Sequence, residues 1–225
     1  MRNRKSLLWL MLLPYCAFCM AEGAETVPQK APQAAAAASP KDKYDAALDA
    51  IAHDDMSGAI ILLKPAATAG DAASQALMAY VLDKSSFSDD AAVYYRKSAD
   101  QGNADGEFGL GQLYAEGSGV KQDNLEARRL ITSAAQKGNK RAIFTLAQVY
   151  IKGGLGLTEA ERKAPEALTW IRRSAENDDV VSIDALAAAY TSGHYGITPD
   201  PKQAADLTAK ANKLRGLDAK GKRKK

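Results

Sequence analysis

Cysteine and histidine are nearly missing from this 225-residue chain, with two of each. Disulfide frameworks, zinc ribbons and multi-histidine metal sites are therefore excluded as organising features. Both cysteines, Cys16 and Cys19, lie in the first 20 residues, so the body of the chain has no thiol nucleophile. His53 and His194 each lack a partner at the helical spacing that a metal or acid–base pair needs, and both read as surface residues. No metal and no cofactor is expected. Aromatic residues make up only 7%. No Gly-x-Ser-x-Gly elbow is present, and Gly153-Gly154-Leu155-Gly156 lacks the Lys-Ser/Thr that would complete a phosphate loop. With 46% hydrophobic and 25% charged residues, the composition is that of an ordinary globular chain. It is neither wholly disordered nor a multi-span membrane protein.

The ends differ from the body. Arg2, Arg4 and Lys5 precede an apolar run from Leu7 to Met20, and small residues at Cys19 and Ala21 suit cleavage after Ala21. Residues 1–21 thus read as a secretory signal peptide. The alternative is an uncleaved anchor, but the run is shorter than the roughly 20 apolar residues that span a bilayer. Tyr15 before Cys16 and Phe18 before Cys19 are bulky where a bacterial lipobox is small, which argues against lipidation. Residues 22–40, with three prolines and five consecutive alanines, read as a linker. Residues 41–209 hold 24 carboxylates against 18 cations, while residues 210–225 hold one against eight. An acidic body argues against nucleic acid as the main partner. The basic tail, 217–225, reads as a solvated end, and any membrane contact would be through it.

Between the ends the chain repeats itself. Ala59, Ala91, Ala127, Ala167 and Ala204 recur in similar contexts, 32 to 40 residues apart. A second series, Tyr80, Tyr114, Tyr150 and Tyr190, interleaves with the first. Both kinds of segment have helical spacing, such as Ala142, Leu146, Val149 and Tyr150, or Ala127, Leu130, Ile131 and Ala134. Small residues at Ser98, Ala134 and Ser174 would let helices approach closely. Glycines after the tyrosines, and Gly102 and Gly138 after the second segments, suit helix ends. Asp123 with Glu126 reads as a carboxylate cap with glutamate three residues on, and Asp200-Pro201 as a cap with proline at the first helical position. The acidic pairs Asp54-Asp55, Asp89-Asp90 and Asp178-Asp179 read as helix starts, favoured by the helix dipole. Paired carboxylates could serve a glycosidase, but no aromatic-rich sugar cleft is evident. The expectation is an all-α fold, a right-handed α/α solenoid of about five helical hairpins over residues 41–216, closed by a polar helix from Pro201 to Leu214.

The unit ADGEFGLGQLYAEGSGVKQDNLEARRLITSAAQKGN resembles the Sel-1-like repeat, a relative of the tetratricopeptide repeat. The matching residues are Leu110, Gly111, Leu113, Tyr114, Gly117, Gly119, Val120, Asp123, Ala127, Ala135 and Gly138. The third unit departs through a longer loop, Lys152 to Ala164, and through Asn177-Asp178 where glycine is usual. The fourth is looser, and residues 41–103 lack the glycine loop. The resemblance implies a non-catalytic scaffold of the bacterial envelope, binding a protein or peptide in a concave groove lined by the first helices. Alternatives are a cell-wall or polysaccharide-associated enzyme or accessory subunit, and a structural spacer. On a helical wheel Phe108, Gln112, Phe144, Gln148 and Asp184 fall opposite the core face. They are the candidate partner-binding strip, unless the phenylalanines pack against the neighbouring repeat.

Overall fold

Each hairpin begins with a short polar side chain that closes the first turn of a helix. Ser39, Asp71, Asn103, Asn139 and Asp179 accept backbone N–H groups two or three residues on. Those donors have no partner within the helix, and each such cap is worth about 1 kcal/mol. The caps open α1 (Pro40–Ala52), α3 (Ala72–Lys84), α5 (Ala104–Glu116), α7 (Lys140–Lys152) and α10 (Val180–Ser192). We call these the first helices. The second helices are α2 (Met56–Thr68), α4 (Ser88–Asp100), α6 (Asn124–Gln136), α9 (Pro165–Glu176) and α11 (Pro201–Leu214). A one-turn helix, α8 (Glu159–Arg162), lies between α7 and α9. This computed structural model describes residues 39–217. The expected signal segment, the linker up to Ala38 and the tail from Asp218 lie outside the described residues.

Among the described residues the structure is an all-α solenoid without a strand. Successive first and second helices pack on one another, α7 directly on α9, and first helices also touch across repeats, α3 on α5 and α7 on α10. The recurring alanines sit where second helices meet the core. Ala59, Ala91, Ala127 and Ala167 are fully covered and Ala204 is 8% exposed. A larger side chain there would push helices apart. Ser98 and Ser174 are likewise buried, and Ser98 Oγ donates to the Ala72 carbonyl at 2.7 Å. Asp123 and Asp200 cap α6 and α11, the latter with proline at its start.

Three expectations are corrected. Glu126 does not reach back to complete a cap with Asp123. Its carboxylate is held instead by the Arg129 guanidinium, at 2.7 and 2.8 Å, which lowers its pKa. Tyr80 is out of step with the other tyrosines. The caps Asp71 and Asn103 are 32 residues apart, so Leu82, not Tyr80, stands where Tyr114 stands, and its carbonyl receives the loop N–H of Phe87 as Tyr114 receives Asp123. The long third loop carries helix α8. Arg162 from that helix donates to the Tyr150 carbonyl at 3.2 Å and to the Ile151 carbonyl, satisfying the C-terminal end of α7.

The turn after each second helix needs a left-handed residue. Gly102 and Gly138 supply it with φ of 77° and 91°, and Asp178 does so with φ of 61°. Aspartate tolerates that region better than most side chains, which is how the third unit dispenses with its glycine.

Candidate functional site

Counting from each cap places the same positions of the first helices side by side. The fifth residue after the cap is Tyr44, Ala76, Phe108, Phe144 and Asp184 in successive hairpins, and the ninth is Leu48, Tyr80, Gln112, Gln148 and Ala188. Residues of α1, α3, α5 and α7 line one hollow of about 260 Å3, including Tyr44, Leu48, Tyr80, Asp105 and Arg141. Helices three repeats apart can share a hollow only if the row curves with its first helices inside. This curved face is the candidate groove.

The expected strip divides when placed on this face. Gln112 is exposed, Phe144 is 46% exposed, and Gln148 and Asp184 are half-buried. Phe108 is corrected to core. It is 3% exposed and packs with Ile131, Ile143 and the rest of the central cluster. The Arg141 guanidinium lies 5.1 Å from its ring centre and roofs it over. Asp184 is paired with Arg215, beyond the end of α11, which ties the last helix to the groove.

Polar links run along the groove between neighbouring repeats. Asp105 accepts from Arg141 and from the Asn139 side chain, each at 2.9 Å, while Asn139 also caps α7. One asparagine therefore ends a helix and fixes its neighbour. Behind the groove, Glu107 is 7% exposed and accepts from Lys137 at 2.7 Å and Ser133 at 3.0 Å. The series noted in the sequence has its own chemistry. Arg96 donates to the Tyr114 hydroxyl and Arg172 to the Tyr190 hydroxyl, each 18 residues earlier in the chain.

Sequence reasoning missed Tyr44, Leu48, Tyr80, Asp105 and Arg141. The signal was present: once the caps are read, the second, fifth and ninth residues after each form the face. Among the described residues no group of three or more His, Cys, Asp or Glu could hold a metal ion. His53 and His194 are both exposed. No described helix is long and apolar enough to cross a membrane.

The Sel1 repeat family model matches residues 88–103, 104–139, 141–179 and 182–214, more than half of the chain. The chain belongs to the Sel1 repeat family. Residues 39–87 lie outside those matches yet build the same hairpins. Sel1 repeat folds commonly serve as protein–protein interaction scaffolds and are generally non-catalytic. An uncharacterized protein of Neisseria meningitidis serogroup B is 33% identical over 106 residues, covering 47% of this chain and 21% of that protein. Among solved structures, a protective antigen present in uropathogenic Escherichia coli strains has a TM-score of 0.65 at 26% identity, over 77% of this chain and 38% of its own. A Sel1 repeat protein from Oxalobacter formigenes has a TM-score of 0.59 at 24% identity, over 77% of this chain and 70% of its own. One from Klebsiella pneumoniae has 0.56 at 19%, over 81% and 90%. The chain thus spans about a fifth of the meningococcal relative and under half of the antigen.

Proposed function

We propose that this Sel1 repeat protein is exported to the bacterial envelope and holds a protein or peptide segment there, without catalysis, in the groove of its first helices. The observation that carries the reading is the groove itself. It is a curved face with an exposed aromatic side chain, Phe144, the exposed amide of Gln112, and a hollow beside Tyr44 and Tyr80. Aromatic anchors seated among polar neighbours are the usual source of interface affinity. Export rests on the basic start and short apolar run of residues 1–21. That a neighbouring solenoid is a protective antigen of uropathogenic E. coli supports an exported setting.

Site-specific photo-crosslinking in the native host tests the groove. A photoreactive side chain at Gln112 should trap one partner that the same group at Ile61, on α2, does not. Equal labelling from both positions overturns the groove reading. Mass spectrometry of the same protein should find a mature chain beginning near Glu22. An intact Met1 in the cytosol overturns export.

A further inference from the structure

The hollow at the start of the groove has a distinct chemistry. At about 260 Å3 it is sized for one long side chain rather than a drug-sized ligand. Its walls include three phenol rings, Tyr44, Tyr80 and Tyr95, together with Leu48 and Leu77. Ring faces attract cations. Two rings of this face already do so within the protein, Tyr80 with Lys84 at 5.7 Å and Phe108 with Arg141 at 5.1 Å.

Around the hollow the carboxylates Asp105, Asp71, Asp45 and Asp83 narrowly outnumber the cations Arg141, Lys84 beside the Tyr80 ring, and Lys41, which pairs with Asp45. Asp105, Asp71 and Asp45 act on the Tyr44 hydroxyl, and Asp83 and Asp105 on that of Tyr95, adding to burial in raising both pKa values, with Arg141 opposing. Arg141 is itself engaged by Asp105 and by the Phe108 ring. Oδ1 of Asp105 takes both Arg141 and Asn139, and Oδ2 takes no hydrogen bond among the described residues.

We propose that this hollow receives a lysine or arginine side chain of the partner segment, its stem along Leu48 and Leu77 and its charged head between the tyrosines and the open oxygen of Asp105. Long cationic side chains bury their alkyl stems against apolar walls while the head stays polar. An apolar side chain would leave the open carboxylate oxygen desolvated without a partner, and an acidic one would meet like charge. The inference rests on the groove reading and names the chemistry of what enters it.

A phage-displayed library of random peptides, panned against the full chain, tests both and separates them. Enriched peptides should carry a lysine or arginine whose replacement by norleucine weakens binding about tenfold or more, the range of a charge-assisted hydrogen bond. Asp105→Asn should cause a similar loss with little change in the melting temperature, because asparagine keeps an oxygen that can accept from Arg141 and Asn139 and the lost ion pair is an exposed one. Tyr80→Ala should weaken binding too, and Ile61→Ser on α2 should not. Peptides that lose affinity on Phe144→Ser but carry an apolar anchor, or ignore Asp105→Asn, overturn the cation pocket and leave the groove standing. Peptides indifferent to both Tyr80→Ala and Phe144→Ser, or a library that returns nothing, overturn the groove and the pocket together.

Discussion

The Tyr95 ring lies directly against Gly109, so close that a Cβ at Gly109 would sit 2.1 Å from a ring carbon. Tyr95 is 6% exposed and packed in the core except where its ring borders the hollow beside Tyr44 and Tyr80. Alanine at Gly109 would gain about 1 kcal/mol in helix propensity, but overpacking a tight core costs about 1–3 kcal/mol. Overlap of this depth puts the balance on the destabilising side. Gly109→Ala should lower the melting temperature, and adding Tyr95→Leu should recover part of the loss. An unchanged or raised melting temperature in the single variant would contradict this packing.

Phe108 and Phe144 occupy equivalent helical positions and should behave differently. Phe108 is 3% exposed, so Phe108→Ala should cost about 3–5 kcal/mol in chemical denaturation. Phe144 is 46% exposed, and Phe144→Ala should cost under about 1 kcal/mol. Leu146, at 1% exposure, gives the reference for a buried site, with about 2–5 kcal/mol expected for Leu146→Ala. Equal losses for the two phenylalanines would refute the assignment of Phe144 to the groove.

Tyr150 gives the fold an alkaline limb. Burial first, then the Glu166 carboxylate, push its pKa from 10.0 up to about 12. The unfolded chain ionises at the lower value, so this contribution is full below about pH 10 and is lost as pH rises towards about 12. Tyr150→Phe should flatten that part of the pH dependence of the urea midpoint. A variant curve parallel to the native one would remove Tyr150 from the account.

Asp178 holds φ at 61° and also pairs with Lys210 at 2.8 Å. Both partners are well exposed, so the pair is worth at most about 1 kcal/mol. The left-handed backbone weighs as much for a residue that suits it poorly. Asp178→Ala should therefore lower the melting temperature more than Asp178→Gly does, as read by differential scanning calorimetry. Both variants lose the ion pair alike, so the reverse order would mean that the left-handed backbone does not decide this position.

Much of the architecture is legible in the sequence because its causes are local. Asp123, Asn139 and Asp200 announce helix starts through side chains that cap their own first turns. The Ala59 to Ala204 series announces contact positions because only a small residue fits there. Tyr80 misled because an aromatic near a helix end resembles Tyr114, whereas the cap at Asp71 sets the true register. Helix α8 was hidden in a loop whose order comes from Arg162 meeting the end of α7, a contact across 11 or 12 residues that no periodicity records.

Helices, caps and repeat spacing were thus determined by the sequence alone. Which of two equivalent phenylalanines is core was decided only by the tertiary structure. Phe108 and Phe144 each stand five residues after an asparagine cap, on the same side of their helices. What differs is the next first helix, where the residue two after the cap is Arg141 in one case and Val181 in the other. The guanidinium is long enough to lie over the Phe108 ring and is anchored there by Asp105. Valine is short, is itself 38% exposed, and leaves Phe144 at the groove surface.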